Sequence, residues 1–400
     1  MIQIRTLSDV TIPRGARVFY RVDYNVPLTE GMGGTRITDA TRIEETLPTL
    51  RLLRDAGARV MIASHLGRPK GERKPKYSLA PVREKLAELT KTNVGWSDDC
   101  TGADAVGKSK ALREGDLLLL ENLRFHAGEE QNDSAFAAEL RKLADFYVND
   151  AFGACHRAHA SIDALPRLFD PDDTAGGLLL ARELEFLQKV TQASDRPSVA
   201  LLGGAKIAGK IEPLEALVDL ADTVLIGGGM ANTFLASRQI DMGGSLVDNE
   251  SIDVAKRIDQ GQHRANVILP VDLVCGDDLQ NPKVIETIGV DQGLTPDQKA
   301  FDIGPRTVSA FTHELATART IFWNGPMGVF EKEEFAKGTM SMARAVAESH
   351  AISVVGGGES VEAVKASGFA NKITHISTGG GASLEFISGA KLPGVEVLQK

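Results

Sequence analysis

The feature that most constrains the fold is the regular alternation of short apolar runs with longer amphipathic segments along the chain. The runs have strand length and form two sets, residues 18–25, 59–63, 117–120 and 146–149, then 199–202, 223–226, 267–269, 320–323, 352–355 and 373–377. Segments between them, such as 42–56, 134–144, 211–221 and 335–348, carry apolar residues at helical spacing. Such alternation predicts parallel sheets with covered faces, and these strands are too many for one sheet of ordinary size. We therefore expect an α/β fold of two doubly wound domains, each with a mostly parallel sheet covered by helices.

One segment near the middle of the chain breaks this pattern. Residues 170–177 read Asp-Pro-Asp-Asp-Thr-Ala-Gly-Gly, which is a run of turn formers. Residues 178–190, which follow, have the pattern of a strongly amphipathic helix. We expect a boundary after residue 174, which divides the chain into domains 1–174 and 175–388. The helix 178–190 is assigned to the second domain and is expected to join the two as a hinge.

Composition argues against several classes of function. The net charge is −9 at pH 7, whereas nucleic-acid binding usually leaves a basic footprint. The apolar runs are far shorter than the roughly 20 residues of a membrane span, and the first residues do not form a signal peptide. The cysteines Cys100, Cys155 and Cys275 are scattered and include no CxxC pair, which fits a reducing compartment. We expect a cytoplasmic protein that binds neither nucleic acid nor membranes.

The residues that follow the strands of the first half are polar and cationic. Ligands of open α/β sheets bind beyond the carboxyl ends of the strands, so these residues indicate the chemistry. If the first strand runs to residue 25, its side chains Arg21, Asp23 and Asn25 share one face. Three strand ends and one loop each supply an arginine: Arg21, Arg68, Arg124 and Arg157. One such arginine is usually an ion-paired surface residue. Four in an acidic chain predict a site for a small, multiply charged anion.

The strand ends of the second half are rich in glycine instead. The chain has 40 glycines, and runs of them follow the predicted strands at 203–204, 227–229, 356–358 and 379–381, with Gly325 and Gly328 after another. Glycine lets the backbone approach a ligand closely, and helix N-termini at such positions can hold phosphates. One Gly-Gly pair is usually only a turn, but five glycine-rich strand ends in one half predict a nucleotide site.

The loop after residue 202 resembles a P-loop but is incomplete. Gly204-x4-Gly209-Lys210 has the required spacing, but Ile211 stands where a Ser or Thr should bind magnesium. The same loop places Lys206 and Lys210 four residues apart, so that both would face one phosphate site if a helix begins here. The alternative is a pair of solvated lysines.

Two further motifs are weaker still. Residues 227–232 end in Asn where a dinucleotide fingerprint requires glycine, which disfavours a dehydrogenase. Cys155, His156 and His159 lack the spacing and the fourth ligand of a zinc site, so ordinary histidines are the better interpretation.

Nine short segments, in this order along the chain, carry a resemblance to a known family. They are 21–27 (RVDYNVP), 64–69 (SHLGRP), 121–125 (ENLRF), 149–152 (NDAF) with 156–159 (HRAH), 203–206 (GGAK), 323–326 (WNGP) with 328–331 (GVFE), and 378–385 (TGGGASLE). Together they make the chain resemble phosphoglycerate kinases from end to end. The resemblance implies reversible, magnesium-dependent phosphoryl transfer between ATP and the carboxylate of 3-phosphoglycerate, giving ADP and 1,3-bisphosphoglycerate.

The resemblance also assigns residues of the first half to 3-phosphoglycerate. Asp23 and Asn25 would hold the glycerate hydroxyl and carboxylate, and Arg42 would reach the carboxylate and the phosphoryl group in transfer. Four basic residues would hold the phosphate: His65, Arg68, Arg124 and Arg157. Tyr24, Leu66 and Gly67 complete the expected site. The tail, residues 389–400, is expected to return to this first domain.

In the second half the resemblance implies a nucleotide site and a second catalytic residue. Lys206 would balance charge on the transferring group, and Lys210 would contact the nucleotide phosphates. The expected nucleotide residues are Gly204, Ala205, Lys206, Lys210, Gly228, Asn324, Pro326, Glu331, Gly357, Gly358, Glu359 and Ser360. Among these, Glu331 would bind the ribose hydroxyls, and residues 356–360 would wrap the phosphates. Closure of the two domains would bring the substrates together and exclude water.

The sequence departs from the family pattern at two of these positions. Residue 359 is Glu, where the family usually has an Asp that contacts nucleotide-bound magnesium. Glu359 is therefore the expected metal residue, with a side chain one methylene longer. Gly209 stands where many relatives have a polar residue. A monomer is the family expectation.

Three alternatives stay open at this point. A different small-molecule kinase on a similar scaffold would keep the arginine cluster but bind another anion. An NAD-dependent dehydrogenase is disfavoured by the missing fingerprint. A non-catalytic anion- or nucleotide-binding protein would be favoured by loss of Arg42 or Lys206, and both are present.

Overall fold

The computed structural model describes residues 2–31, 34–192 and 195–400. The chain divides into two compact units, one of Met1–Leu184 with Lys391–Lys400 and the other of Glu185–Ala390. Each unit contains a six-stranded parallel sheet with helices between its strands. The expected α/β fold with two parallel sheets is therefore confirmed. In the described part of the chain, no helix combines the length and the apolar character needed to cross a bilayer.

The described residues of the first unit form eight strands. They are β1 (Arg17–Arg21), β2 (Leu28–Gly31), β3 (Gly34–Ile37), β4 (Arg59–Ala63), β5 (Val94–Ser97), β6 (Leu117–Leu120), β7 (Phe146–Asn149) and β8 (Thr174–Gly176). Six of them form the parallel sheet in the order β5-β6-β4-β1-β7-β8, and β2 and β3 form a separate antiparallel hairpin. The chain winds from β1 to one edge and then returns to the other side of β1, so the strand order reverses at β1.

Helices cover this sheet. They are α1 (Thr41–Glu44), α2 (Leu47–Asp55), α3 (Ala80–Thr90), α4 (Gly102–Ala111), α5 (Ala127–Glu130), α6 (Ser134–Arg141) and the first half of α7 (Leu178–Gln192). The central strands β4 and β6 are almost continuously apolar because side chains on both faces are covered. Leu50 of α2 and Val82 of α3 are fully buried against this core.

In the part of the second unit that the structure describes there are nine strands. They are β9 (Ser198–Leu202), β10 (Thr223–Ile226), β11 (Asn266–Ile268), β12 (Asp272–Gly276), β13 (Ile285–Gly289), β14 (Lys299–Ile303), β15 (Thr320–Asn324), β16 (Ile352–Gly356) and β17 (His375–Ile376). The parallel sheet has the order β11-β10-β9-β15-β16-β17, with its reversal at β9 and β15. A three-stranded antiparallel sheet, β13-β12-β14, was not predicted.

Seven helices follow α7 within residues 195–390 of this unit. They are α8 (Ile211–Leu220), α9 (Gly228–Ser237), α10 (Ile252–Gln260), α11 (Pro305–Thr317), α12 (Lys337–Glu348), α13 (Gly358–Ala366) and α14 (Gly381–Ile387). The core of the unit is built from buried side chains of the sheet and of α11 and α12, among them Trp323, Phe311 and Met342.

The last ten residues, with the short helix α15 (Pro393–Glu396), belong to the first unit. Arg5 N donates to Leu398 O at 2.7 Å, and Lys400 N donates to Gln3 O at 3.1 Å. Gly394 N donates to Cys155 O at 3.0 Å. The side chains of Leu392, Val395 and Leu398 are buried, so this segment is an integral part of the core of the first unit.

Two of the differences between predicted boundaries and the structure affect the candidate site and the division of the chain. The first strand ends at Arg21 and not at residue 25, because Tyr24 N donates to Ser64 Oγ and Asn25 N donates to Asp23 Oδ1 in place of a ladder. Asp23 and Asn25 therefore lie in a loop, and the expectation that they share a strand face with Arg21 is wrong.

The expected division after residue 174 is also displaced. Residues 174–176 form β8 beside β7, and the division between the units falls inside α7, after Leu184. The physical reason lies in the first turns of α7, which are bonded to the first unit. Leu178 N donates to Thr49 Oγ1 at 2.9 Å, and Leu180 N donates to Asp150 Oδ1 at 2.9 Å.

Candidate active site

The first unit gathers its polar strand ends where the strand order reverses. The loops after β1, β4, β6 and β7 all leave the carboxyl edge of the sheet, and β1 lies between β4 and β7. Switch points of this kind leave a crevice for ligands. The expected anion residues lie on these loops, and Arg42 lies on α1.

Asp23 is the centre of one polar network in this crevice. Its carboxylate is ion-paired with Arg42, accepts the Asn25 N–H at 3.1 Å, and lies 3.8 Å from His65 Nε2. Burial alone would raise the pKa of Asp23, but Arg42 and the Asn25 N–H hold it well below its usual value of 3.8. Asp23 is therefore ionised, and it orients the guanidinium of Arg42.

His65 is held in one protonation state by a buried arginine. Arg21 Nη2 lies 3.2 Å from His65 Nδ1, and a guanidinium can only donate, so Nδ1 is the acceptor. Burial lowers the pKa of His65 well below its usual value, and although Asp23 opposes this, the charges of Arg21 and Arg124 reinforce it. The imidazole is consequently neutral, and its proton is on Nε2, on the side of Asp23.

A tight turn after β4 joins two more of the expected residues. Gly67 has φ +62°, and a Cβ there would overlap the ring of Tyr77, so only glycine fits. Gly67 N donates to Asn25 Oδ1 at 2.8 Å, and Gly67 O accepts Arg124 Nη1 at 2.8 Å. Burial lowers the pKa of Arg124 from its usual value, although its guanidinium stays charged. The turn therefore fixes Asn25 and Arg124 in one network.

The remaining expected residues divide into exposed cations and buried groups. Arg68 and Arg157 are exposed, and Arg157 Nε donates to His156 Nε2 at 3.0 Å. The Tyr24 side chain is fully buried, with its hydroxyl 2.8 Å from Thr46 Oγ1, so that only its backbone faces the loop. Leu66 is 3% exposed, and its backbone N–H and carbonyl are both bonded to Asn122.

Sequence reasoning missed two histidines beside the arginines of this site, His156 and His159. Burial lowers the pKa of His159 to about 3, and the charges of Arg124, Arg21 and Arg157 act in the same direction. His159 is thus a neutral imidazole beside these arginines. The HRAH segment was the available signal, but its histidines were weighed only as zinc ligands and were then interpreted as ordinary histidines.

One group of three potential metal ligands lies elsewhere in the described part of this unit: Asp99, Cys100 and His126. His126 Nε2 lies 2.6 Å from Asp99 Oδ1, and the three ligand atoms are within 4.8 Å of one another. Burial raises the pKa of the Cys100 thiol well above its usual value. The arrangement is an imidazole–carboxylate pair beside a protonated thiol.

The second unit contains a cavity of about 310 Å³ at the ends of β9, β10 and β15. Six of the expected nucleotide residues line it: Gly204, Ala205, Gly228, Pro326, Glu331 and Glu359. Its apolar wall was missed by sequence reasoning and comes largely from the antiparallel sheet and neighbouring loops: Leu246, Leu273, Leu279, Phe301, Met327 and Val329. Apolar side chains facing glycine-rich backbone suit a planar base and its attached phosphates.

The two lysines of the first glycine-rich loop differ in their surroundings. Helix α8 begins at Ile211, so Lys206 lies in the preceding loop and not one helical turn from Lys210. Lys210 is half-buried and donates to Gly203 O at 3.0 Å, and burial lowers its pKa although Glu359 opposes the shift. Lys206 is exposed.

The remaining expected nucleotide residues hold the backbone around the cavity. Asn324 Nδ2 donates to Gly356 O at 2.8 Å, and the buried Ser360 Oγ accepts Gly325 N at 2.6 Å. Gly357 has φ +92° and precedes α13, whose first residue is Gly358. Lys206, Lys210, Asn324, Gly357, Gly358 and Ser360 do not line the cavity itself.

Comparison with known proteins identifies the family. The family model described as phosphoglycerate kinase matches residues 7–390. The chain belongs to the phosphoglycerate kinase family. The phosphoglycerate kinase of Koribacter versatilis is 51% identical over 391 residues, covering 96% of each chain. That of Geobacter metallireducens is 46% identical over 399 residues, covering 99% of each.

Solved phosphoglycerate kinases have the same fold. The structure from Coxiella burnetii superposes with a TM-score of 0.88 at 36% identity, covering 99% of each chain. That from Pyrococcus horikoshii OT3 gives 0.86 at 34% identity, covering 99% of this chain and 98% of the other. The expected family, fold and phosphotransferase activity of a phosphoglycerate kinase are therefore confirmed, whereas the roles of individual residues stay predictions.

Proposed function

We propose that the first unit of this phosphoglycerate kinase binds 3-phosphoglycerate at the Asp23–Arg42 network and that the cavity of the second unit binds ATP or ADP. The observation that carries this proposal is the pairing of an ionised Asp23 with Arg42 beside neutral His65 and buried Arg124. A carboxylate that accepts from a hydroxyl, surrounded by cations that bind oxyanions, suits a hydroxy acid with a phosphate group.

Within the first site, each group has a distinct role. Asp23 and Asn25 bind the glycerate hydroxyl and carboxylate, and Arg68, Arg124 and Arg157 bind the phosphate with His65. Arg42 is already oriented by Asp23 and is half-exposed, so it can reach the carboxylate that accepts the phosphoryl group. Tyr24, Leu66 and Gly67 contribute backbone shape, because two of their side chains are buried.

Within the second site, Glu331 binds the ribose hydroxyls and the glycine-rich loops approach the phosphates. Lys210 meets the nucleotide phosphates, and Lys206, in the exposed part of its loop, balances charge on the transferring group. The chemistry requires positioning and charge stabilisation more than any covalent step. Arg42 and Lys206 are therefore the expected catalytic residues, each with fixed positive charge where negative charge develops.

A magnesium ion bound to the nucleotide fits the residues present. Glu359 is an exposed carboxylate on the cavity wall, and Mg²⁺ in kinases is usually held by one or two carboxylates together with substrate phosphates. When bound, the ion neutralises charge on the phosphate oxygens.

Transfer also requires the carboxylate of one substrate and the terminal phosphate of the other to meet without water. The two sites lie on different units, which supports a closing motion about α7 when both substrates are bound. Small-angle scattering tests this, since a mixture of 3-phosphoglycerate and nucleotide should lower the radius of gyration more than either ligand alone. An identical radius of gyration for the free protein, for the protein with either ligand alone and for the protein with both ligands would contradict hinge bending.

We further propose a cytoplasmic monomer. The three cysteines are buried and free, which suits a reducing compartment. Analytical ultracentrifugation measures the mass of the protein in solution, and we expect the mass of a single chain.

The deciding experiment is a coupled assay with ATP, magnesium and 3-phosphoglycerate. Arg42→Ala should lower turnover by a factor that corresponds to about 3–4 kcal/mol, and Lys206→Ala should also abolish most turnover. Arg68→Ala should mainly raise KM for 3-phosphoglycerate. Lys256→Ala, an exposed lysine of α10, is the control and should behave as wild type.

Two results would contradict these roles. Unchanged turnover in Arg42→Ala would remove Arg42 from catalysis. A selective loss of ATP affinity in Arg68→Ala would mean that the two sites are assigned to the wrong units. The alternative of another small-molecule kinase is tested in the same assay, because other phosphorylated acids should react far more slowly than 3-phosphoglycerate.

A further inference from the structure

Asp302 is a buried carboxylate on the wall of the nucleotide cavity, and the proposed reaction has no use for it. It lies near the end of β14 and is 3% exposed. Its Oδ2 accepts Gly338 N at 2.6 Å, and its Oδ1 accepts Ile303 N at 2.9 Å. Gly338 is in the first turn of α12, so Asp302 satisfies a free N–H of that helix from outside it.

The backbone is packed directly against this carboxylate on two sides. A Cβ at Gly338 or at Gly328 would overlap the Asp302 side chain, so both glycines are required by close approach. Gly328 belongs to the loop that follows β15, here called the 325–331 loop. Asp302 therefore contacts both the start of α12 and the 325–331 loop.

Thr339 supplies a second link between the same two segments. It is fully buried on α12, and its Oγ1 accepts Met327 N at 3.0 Å. Val329 N donates to Phe301 O of β14 at 2.8 Å. The 325–331 loop is thus bonded to α12 through Thr339 and to β14 through its own backbone.

This loop in turn touches the other cavity loops. Pro326 O accepts Gly204 N at 3.0 Å, and Met327 O accepts Gly228 N at 3.0 Å. The loop also carries Pro326 and Glu331 on the cavity wall. Its position therefore determines the shape of the cavity where β9, β10 and β15 end.

We propose that Asp302 and Thr339 are positioning residues that set nucleotide affinity by holding the 325–331 loop in its binding conformation. The inference rests on the proposed nucleotide site. If Thr339 or Asp302 no longer accepts a hydrogen bond, Met327 N of the loop or Gly338 N of α12 bonds to other partners in the free enzyme. The loop then leaves its binding conformation. Nucleotide binding must then restore the binding conformation of the loop. The apparent dissociation constant becomes the intrinsic one divided by the fraction of molecules whose loop keeps that conformation.

The charge of Asp302 adds a second readout. Burial raises its pKa to about 7, although the N–H groups of Gly338 and Ile303 oppose the shift. The titratable groups on surrounding elements are Lys299 on β14, Asp272 and Cys275 on β12, Lys337 on α12, and Glu331 and Glu359 on the cavity wall. The ionised carboxylate accepts both N–H groups best, so ADP affinity should fall as the pH falls through about 7.

The test compares Thr339→Val with Thr339→Ser by calorimetric titration with ADP. Valine has nearly the shape of threonine but leaves Met327 N without its acceptor. The dissociation constant of Thr339→Val should rise about tenfold, which corresponds to about 1.4 kcal/mol. Thr339→Ser keeps the oxygen and should bind ADP as wild type does. KM for 3-phosphoglycerate should be unchanged in both.

A second comparison separates positioning from general stability. Asp302→Asn should weaken ADP binding at pH 8 and make its dependence on pH between about 6 and 8 smaller than in the wild type, leaving the part that comes from the terminal phosphate of ADP. Asp272 is the matched control because it accepts Thr307 N at 2.8 Å and Arg306 N at 3.0 Å at the start of α11 but does not line the cavity. Asp272→Asn should lower the melting temperature without changing ADP affinity.

Three outcomes would overturn the proposal. The first is wild-type ADP affinity in Thr339→Val. This result would refute the positioning role even if Asp302→Asn does not fold. The second is an equal loss of affinity in Asp272→Asn. The third is unchanged ADP affinity in Glu331→Leu, which removes both acceptor oxygens and would count against the cavity as the nucleotide site. Weak binding in Glu331→Leu with normal binding in Thr339→Val would instead refute only the positioning role.

Discussion

Arg21 shows how a single buried charge sets the chemistry of a neighbouring residue. Its side chain is fully buried, lies 3.8 Å from Glu129 and donates to Ser161 Oγ at 2.7 Å. Ser161 Oγ in turn donates to Glu129 at 2.6 Å. The same guanidinium fixes the tautomer of His65. An arginine predicted from its strand-end position as an anion ligand is therefore a positioning residue for the ligand site.

Arg21→Met should destabilise the protein strongly. It leaves the buried Glu129 carboxylate without its cation, and loss of one partner of a buried pair costs about 3–5 kcal/mol. Urea unfolding of the variant measures this cost. Arg17→Met is the control, because its pair with Asp145 is half-exposed and should be worth less than about 1 kcal/mol. Equal, small losses in both variants would contradict the structural role of Arg21.

Glu359→Asp should keep turnover but change its dependence on magnesium concentration. The shorter side chain moves the carboxylate on the cavity wall and so alters its distance from nucleotide-bound metal. Activity titrated with magnesium at fixed ATP measures the change. Glu362→Asp, an exposed site on the same helix, is the control. An identical magnesium dependence in both variants would exclude a metal role specific to the longer Glu359.

At the scale of elements, Asp150 connects the end of β7 to the start of α7. Its carboxylate accepts Tyr20 Oη at 2.6 Å and Leu180 N at 2.9 Å. Burial raises its pKa to about 6, although hydrogen bonds from Thr49 and Tyr20 oppose the shift. Because the folded pKa exceeds the usual value of 3.8, the folded state binds more protons than the unfolded state between about pH 4 and pH 6.

The free energy of unfolding should therefore fall as the pH rises across that window, by about 3 kcal/mol for the Asp150 contribution. Asp150→Asn should remove this part of the slope, and denaturant unfolding at several pH values measures it. Asp145→Asn is a control of opposite sign, because hydrogen bonds and charge from Arg17 overcome burial and lower the pKa of Asp145. The contribution of Asp145 to the free energy of unfolding is therefore lost as the pH falls. An unchanged slope in Asp150→Asn would refute the assignment.

The sequence predicted some elements well and others not at all, for physical reasons. The strands β4, β6 and β7 are buried on both faces and read as apolar runs with the correct bounds. The edge strand β5 and the largely exposed β13 lack such runs, so neither was predicted. Helix 42–56 was predicted as continuous, but the structure divides it into α1 and α2.

The site was predictable in type but less so in detail. Arginine-rich and glycine-rich loops indicate an anion and a nucleotide because the residue types carry that chemistry. The amino-acid sequence does not show that the ring of Tyr24 is buried whereas the side chain of the next residue, Asn25, is exposed. Similarly, the hydroxyl of Ser360 is used by Gly325 N, a contact that only the tertiary structure supplies.

At the scale of the whole molecule, the first unit is built from two distant stretches of chain. Leu398→Ala should destabilise this unit by about 2–5 kcal/mol, because Leu398 is fully buried there. Hydrogen exchange measures the effect locally: amides of β1, β4 and β7 should lose protection, whereas those of β9 and β15 should not. Leu52→Ala, at a side chain that is 41% exposed, is the control in the same unit. Equal loss of protection in both units would contradict the division.

This two-part construction has a consequence for synthesis on the ribosome. Residues 185–390 are contiguous and can fold as soon as they have emerged, whereas the first unit lacks residues 391–400 until all of them have been translated. The part of the chain made first is thus the last to complete its core. Until then Leu392, Val395 and Leu398 have not filled their places, and the nascent first unit exposes apolar surface that a chaperone can bind.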